Sequence, residues 1–224
     1  MTEPTAHAHK IVRVIPTVLR WRVHDDRIGG SESDAYAVVS QGQVTLIDPL
    51  PVGEAELRRL GQIKGIVLTA ANHQRSAWRY RKLFHVPVFA PEGPGVSPTP
   101  GDLEEEPDYR YTAGESLPGG LTPFHTPGPT EAMYALWLDR PRSVIFLSDV
   151  LTHDGSGQPT FVASEYQDEP ERTRASVRRI IDHLPVQVLC FAHGPPICDE
   201  GRSVLERALA YDAGRHPEMA VPPT

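Results

Sequence analysis

The chain has 224 residues, 39% of them hydrophobic, which suits one domain with a full core. A formal net charge of -7 argues against non-specific binding to nucleic acid or to an anionic membrane, and no apolar run approaches the ~20 residues of a membrane span. Two cysteines, Cys190 and Cys198, are too few for a disulfide framework, and Met1 to Lys10 lacks the basic and apolar parts of a secretory leader, so a cytoplasmic protein with free thiols is expected.

Residues 1–10 read as a flexible tail, with His7 and His9 as solvated histidines. Ile11 to Ile15 and Thr17 to Val23 read as strands, because Leu19, Trp21 and Val23 alternate with Val18, Arg20 and Arg22. Ala35 to Val39 and Val44 to Ile47 flank Ser40-Gln41-Gly42-Gln43, a hairpin signal with Gly42 in the turn. The second of these strands stops at Asp48-Pro49, since proline cannot donate to a ladder. Glu54 to Leu60 is a short amphipathic helix ending at Gly61. Gly65 to Thr69 is a buried strand that enters the polar loop Ala70-Ala71-Asn72-His73-Gln74-Arg75, and Ser76 to Phe84 is helical.

Val86 to Ala90 is a strand that Pro87 places at a sheet periphery. Pro91 to Pro107, rich in proline, glycine and acid, reads as a flexible surface loop. Leu121 to His125, Met133 to Leu138 and Val144 to Leu147 are consecutive strands, the last ending at Ser148-Asp149. Asp168 with Glu171 forms a capping signal for a helix that runs to about His183. Val186 to Phe191 is a strand ending at His193-Gly194, and Asp199 caps a last helix of roughly Gly201 to Tyr211. Strands and helices in this order predict a layered α/β sandwich, with one domain over 11–212 and a flexible tail over 213–224.

The order of loops resembles that of the metallo-β-lactamase superfamily. The resemblance rests on the strand ends at Asp48 and Thr69, on His125-Thr126-Pro127-Gly128, on Ser148-Asp149 and on His193-Gly194. It implies an αββα sandwich with a metal site at one edge of the two sheets. Hydrolases of that family read Thr-His-x-His-x-Asp-His after the strand and later His-Thr-Pro-Gly-His-Thr. Their ligands hold one or two metals that activate a water. Here those ligand positions carry Ala70, Asn72, Gln74, Arg75 and Pro129, and Asp149 and His193 alone match.

The expected site-lining residues are therefore Asn72, His73, Arg75, His125, Asp149 and His193. A buried carboxylate needs a compensating cation, so Arg75 is expected to replace the metal and pair with Asp149. On that reading no metal is bound and the chain acts by binding a small molecule or a protein. The alternative is a hydrolase of ester, thioester, lactone or phosphoester bonds. It would use zinc, iron or manganese in a single remodelled site made of Asp149 and His193 with His73 or His125. A third reading has the acidic loop over 91–107 meeting a partner, with a homodimer as one form of it; nucleic acid and membrane are excluded as partners.

Overall fold

The alternation of apolar residues along the first half builds a mixed sheet of seven strands, neighbours in chain order. They are β1 (Val12–Ile15), β2 (Val18–Asp25), β3 (Ser31–Ser40), β4 (Gln43–Ile47), β5 (Gln62–Val67), β6 (Val88–Pro91) and β7 (Tyr109–Tyr111). The first four run antiparallel, and β4 to β7 are parallel. The β3–β4 hairpin turns through Gln41 and Gly42, both left-handed as a tight hairpin requires. The second sheet has the order β13 (Val188–Cys190), β10 (Val144–Phe146), β9 (Tyr134–Leu138), β8 (Leu121–His125). A short ribbon, β11 (Thr152–His153) with β12 (Pro159–Thr160), stands apart from both. The computed structural model describes residues 3–93, 103–153 and 158–215.

Three cores separate four layers. Helices α1 (Glu54–Leu60) and α2 (Ala77–Phe84) cover the outer face of the large sheet through Trp21, Leu46, Leu57, Ile66, Trp78 and Tyr80. Helices α3 (Pro170–His183) and α4 (Gly201–Arg215) cover the small sheet through Ile145, Val177, Ile180, Leu189 and Leu205. Between the sheets lie Tyr36, Val38, Ile47, Val67, Leu136 and Phe146. Each sheet is thus covered on both faces, which explains why β10 and the end of β5, from Gly65 to Val67, are buried at every residue rather than at alternate ones.

Several local expectations change. The segment 3–10 is not a frayed tail. Ala8 is buried, its amide donates to the Pro51 carbonyl at 2.8 Å, Glu3 pairs with Arg79, and Thr5 is fastened to Asp26. Strand β6 is internal, because β7 adds beside it; Pro87 lies just before the ladder and leaves it intact. Helix α3 starts with Pro170 at its first turn and no side-chain cap, so the expected Asp168 capping box does not form. Asp199 is drawn into an ion pair with Arg142 at 2.6 Å. In the acidic loop, Glu105 pairs with Lys82 and Arg81, and Glu106 with Arg110, so these two acids are neutralised within the chain. Residues 94–102 of that loop, and 216–224 of the expected tail, lie outside the described residues. No described helix is long and apolar enough to cross a membrane.

Candidate metal centre

Parallel strands deliver their carboxyl ends to one edge, where α/β proteins place their sites. Asp48 follows β4, Thr69 follows β5, Asp149 follows β10 and His193 follows β13. Three of these corners are strained. Asp48, Arg75 and Ser148 all hold positive φ (45°, 41° and 54°) without being glycine. Each costs of order 1–3 kcal/mol, and such strain collects where a side chain must be aimed.

After β5 the chain makes a 3₁₀ turn over Ala71–His73, then turns left-handed at Arg75 before entering α2. This turn folds His73 inward, where it is 3% exposed. Its Nδ1 lies 3.0 Å from Asp48 Oδ2, and its Nε2 lies 3.1 Å from Asp149 Oδ2. Thr69 and Ser148 complete the cage: the Thr69 hydroxyl donates to Asp48 Oδ2 at 2.5 Å and lies 2.8 Å from the Ser148 hydroxyl.

His193 approaches from the opposite side. Its Nδ1 lies 3.0 Å from the Glu32 carbonyl oxygen, and its Nε2 lies 3.3 Å from Asp149 Oδ1. Its backbone is pinned, since the His193 carbonyl accepts from the Thr152 hydroxyl at 3.0 Å and from the His153 amide at 3.2 Å. Gly194 at φ 142° lets the His153 ring lie against the chain; a Cβ there would sit 2.3 Å from His153 Cδ2. Asn72 donates from Nδ2 to Asp149 Oδ2 at 3.2 Å.

His73, Asp149 and His193 bring ligand atoms to within 4.8 Å of one another, and among the described residues they form a group able to hold a metal ion. Burial works against charge on both His73 and Asp149. For His73 the neighbouring carboxylates of Asp149 and Asp48 outweigh it, and its pKa rises above the ordinary value. For Asp149 the two imidazoles outweigh it, and its carboxyl is held well below the usual range.

The expected Arg75–Asp149 pair does not form. Arg75 is buried, but its Nη1 donates to the main-chain carbonyls of Asp34 at 2.8 Å and Asp48 at 3.2 Å. The left-handed turn at Arg75 directs the guanidinium beneath the β3 and β4 ends, while two histidines already occupy the carboxylate of Asp149. His125 also stays away from the cluster: its Nε2 lies 2.8 Å from the Glu131 carbonyl oxygen and its ring leans on Tyr134. Asn72, Asp149 and His193 line an open cleft of about 1200 Å³, and His73 lies beneath it. Asp48, which orients His73, was visible in the sequence only as a strand end. Its signal is that β4 and β5 are adjacent parallel strands, so residues just past their ends meet.

No family model and no curated protein matches the sequence. The fold does match solved structures. A metallo-beta-lactamase from Pontibacter korlensis is similar with a TM-score of 0.69 and 16% identity, over 90% of this chain and 98% of that one. A metallo-beta-lactamase family protein from Thermus thermophilus is similar with a TM-score of 0.67 and 19% identity, over 92% of this chain and 82% of that one. A metallo-beta-lactamase from Erythrobacter litoralis is similar with a TM-score of 0.66 and 16% identity, over 92% and 94% of the two chains. The chain therefore has the metallo-β-lactamase fold, an αββα sandwich.

Proposed function

We propose that this chain of metallo-β-lactamase fold is a single-metal hydrolase of ester, thioester, lactone or phosphoester bonds, with His73, Asp149 and His193 as its protein ligands. The observation that carries this reading is the orientation of the two imidazoles. In each, Nδ1 is anchored by an oxygen of the chain, Asp48 for His73 and the Glu32 carbonyl for His193. In each, Nε2 is turned on the same carboxylate. Anchoring one nitrogen to a carboxylate or carbonyl is how proteins fix a histidine for ligation through the other. Asp149 Oδ1 is buried and has His193 Nε2 at 3.3 Å beside it, so both carboxylate oxygens face an imidazole nitrogen.

Two histidines and one carboxylate match the donor number and type of catalytic zinc sites, and iron or manganese accepts the same set. A divalent ion held there would polarise a substrate oxygen and acidify a water. The chain's own part is positional. Asp48 keeps a proton on His73 Nδ1, the Glu32 carbonyl does the same for His193, and Asn72 orients Asp149 at the cleft floor. Free Cys190 and Cys198 support a reducing, cytoplasmic setting.

A second reading, a metal-independent binding protein, draws on one observation. His73 sits between two carboxylates with a raised pKa, so its imidazolium alone can balance Asp149. The test that separates them is turnover after reloading. Protein stripped of metal and reloaded with zinc, manganese or iron(II) should hydrolyse at least one member of an ester, thioester, lactone and phosphodiester panel. His193→Ala should lose that activity by about 100-fold or more. Turnover that is absent with every metal, or unchanged in the variant, would sink the hydrolytic reading.

A further inference from the structure

Strand β3 pairs with β2 from Ser31 to Val38, but with β4 only from Tyr36 to Ser40. The start of β3 therefore has an edge that β4 does not fill, and the segment after β13 docks on this strand. The Tyr36 hydroxyl donates to the Phe191 carbonyl at 2.8 Å and accepts from the Phe191 amide at 3.1 Å. The Asp34 amide donates to the Ala192 carbonyl at 2.7 Å. The Glu32 carbonyl oxygen meets His193 Nδ1.

Asp34 also reaches past the histidine. Its side chain is fully buried, and its Oδ2 accepts from the Gly194 amide at 2.9 Å. One residue thus grips the chain immediately before and immediately after His193, the first with its amide and the second with its carboxylate. A peptide unit is planar, so the chain turns only at φ and ψ. Holding the peptide on each side of His193 fixes both of its dihedrals and with them the direction in which its side chain leaves the backbone.

A buried carboxylate needs counter-charge. Arg20 Nε at 2.6 Å and Arg22 Nε at 3.2 Å supply it at Oδ1, and Arg22 Nη2 reaches Oδ2 at 3.3 Å. Arg20 and Arg22 are two residues apart on β2 and share a face, and Asp34 lies opposite Arg22 in the register. A bond from an amide to an ionised oxygen is stronger than one to a neutral acceptor. An ion pair between β2 and β3 needs no bond to Gly194, so that contact is what ties Asp34 to the site.

We infer that Asp34 is a positioning residue for His193, holding the peptides on both sides of it so that the ring meets the Glu32 carbonyl through Nδ1 and Asp149 through Nε2. The inference rests on the reading of His193 as a metal ligand and adds the device that aims it. Asp48 touches the ring of His73 directly, whereas Asp34 acts on His193 through the main chain.

Asp34→Asn tests it. Asparagine keeps one acceptor oxygen, and the two guanidiniums compete for it with charge-assisted bonds. Its amide group then faces the Gly194 N–H donor to donor, and the grip after His193 is lost. NMR relaxation at the Cε1–H of each histidine, in metal-stripped protein, reads ring mobility. The His193 ring should loosen in the variant while the His73 ring, held by Asp48, stays as in the unmodified protein. Competition with a chelator should show zinc affinity lowered by about tenfold or more. Arg22→Gln is the control, because it thins the ion pairing and leaves the Asp34–Gly194 bond; His193 mobility and zinc affinity should not change. If Asp34→Asn does not fold, its combination with Arg20→Gln, which removes one cation left without counter-charge, carries the same comparison. An unchanged His193 ring, equal loosening of both histidines, or the same loosening in Arg22→Gln would overturn the inference. The ring readout uses neither metal nor turnover. A chain that takes up no metal therefore loses the hydrolytic reading, while the hold of Asp34 on His193 is decided by ring mobility.

Discussion

The loop after β5 and the loops after β10 and β13 meet at one edge, yet they reach it by different routes. After β10 and β13, Asp149 and His193 stand directly beyond buried strands, at the positions the fold offers. After β5 the chain lacks a histidine at those positions, and it brings in His73 through a 3₁₀ turn followed by a left-handed residue. The comparison teaches that a side chain's place in a sequence motif and its place in space separate once the backbone between them can change its turn. The remodelled loop depends on Asp48 to aim its histidine, whereas the ring of His193 rests on a carbonyl.

The sharpest way to break the comparison is to remove the recruited histidine. His73→Ala should lower metal affinity by more than about 100-fold, and Asp48→Asn by roughly 10–100-fold, the range for a partner that orients a ligand. Competition with a chelator of known affinity measures both. If Asp48→Asn leaves affinity unchanged, His73 is not aimed by it, and the contrast between the two loops disappears.

Arg75 tests the structural side of the same loop. Arg75→Met removes the donor that satisfies the Asp34 and Asp48 carbonyls and should cost about 1–3 kcal/mol of stability in urea, without changing metal stoichiometry. A change in stoichiometry with unchanged stability would instead return Arg75 to the site.

The pH dependence of metal-stripped protein is a smaller effect. His73 has a raised pKa, so its stabilisation is full below the ordinary value of 6.5 and is lost as pH rises through the raised one. Asp149 has a depressed pKa, so its stabilisation is present above the ordinary 3.8 and is lost as pH falls through the depressed one. The pair therefore contributes most between 3.8 and 6.5. The urea midpoint of the metal-stripped protein should fall with rising pH above that window, and Asp149→Asn should lose much of the slope. A slope that is the same in both proteins would show that the pair does not govern it.

The layered fold was legible because its elements obey simple periods. The hairpin at Gly42 and the helix over Glu54–Leu60 lie where the pattern places them. Strand β7 was not legible, since Tyr109–Tyr111 is a three-residue strand beside a stretch rich in proline, glycine and acid and pairs only through β6. The N-terminal segment carries no periodic signal either, and it is held by long-range contacts of Glu3, Thr5 and Ala8 with side chains and backbone far along the chain. In the site, Asp149 and His193 were legible as strand ends. The pairing of Arg75 was not, because a positive φ at a non-glycine residue leaves no mark in the sequence and reverses where the side chain points.

The central claim is that His73, Asp149 and His193 hold one metal ion between them. Elemental analysis of untagged protein, purified without chelator and repeated for Asp149→Asn, tests it directly. About one transition-metal ion per chain in the unmodified protein, vanishing in the variant, is the predicted result. Protein that carries no metal, and takes up none when zinc, iron(II) or manganese is supplied in excess, would contradict it.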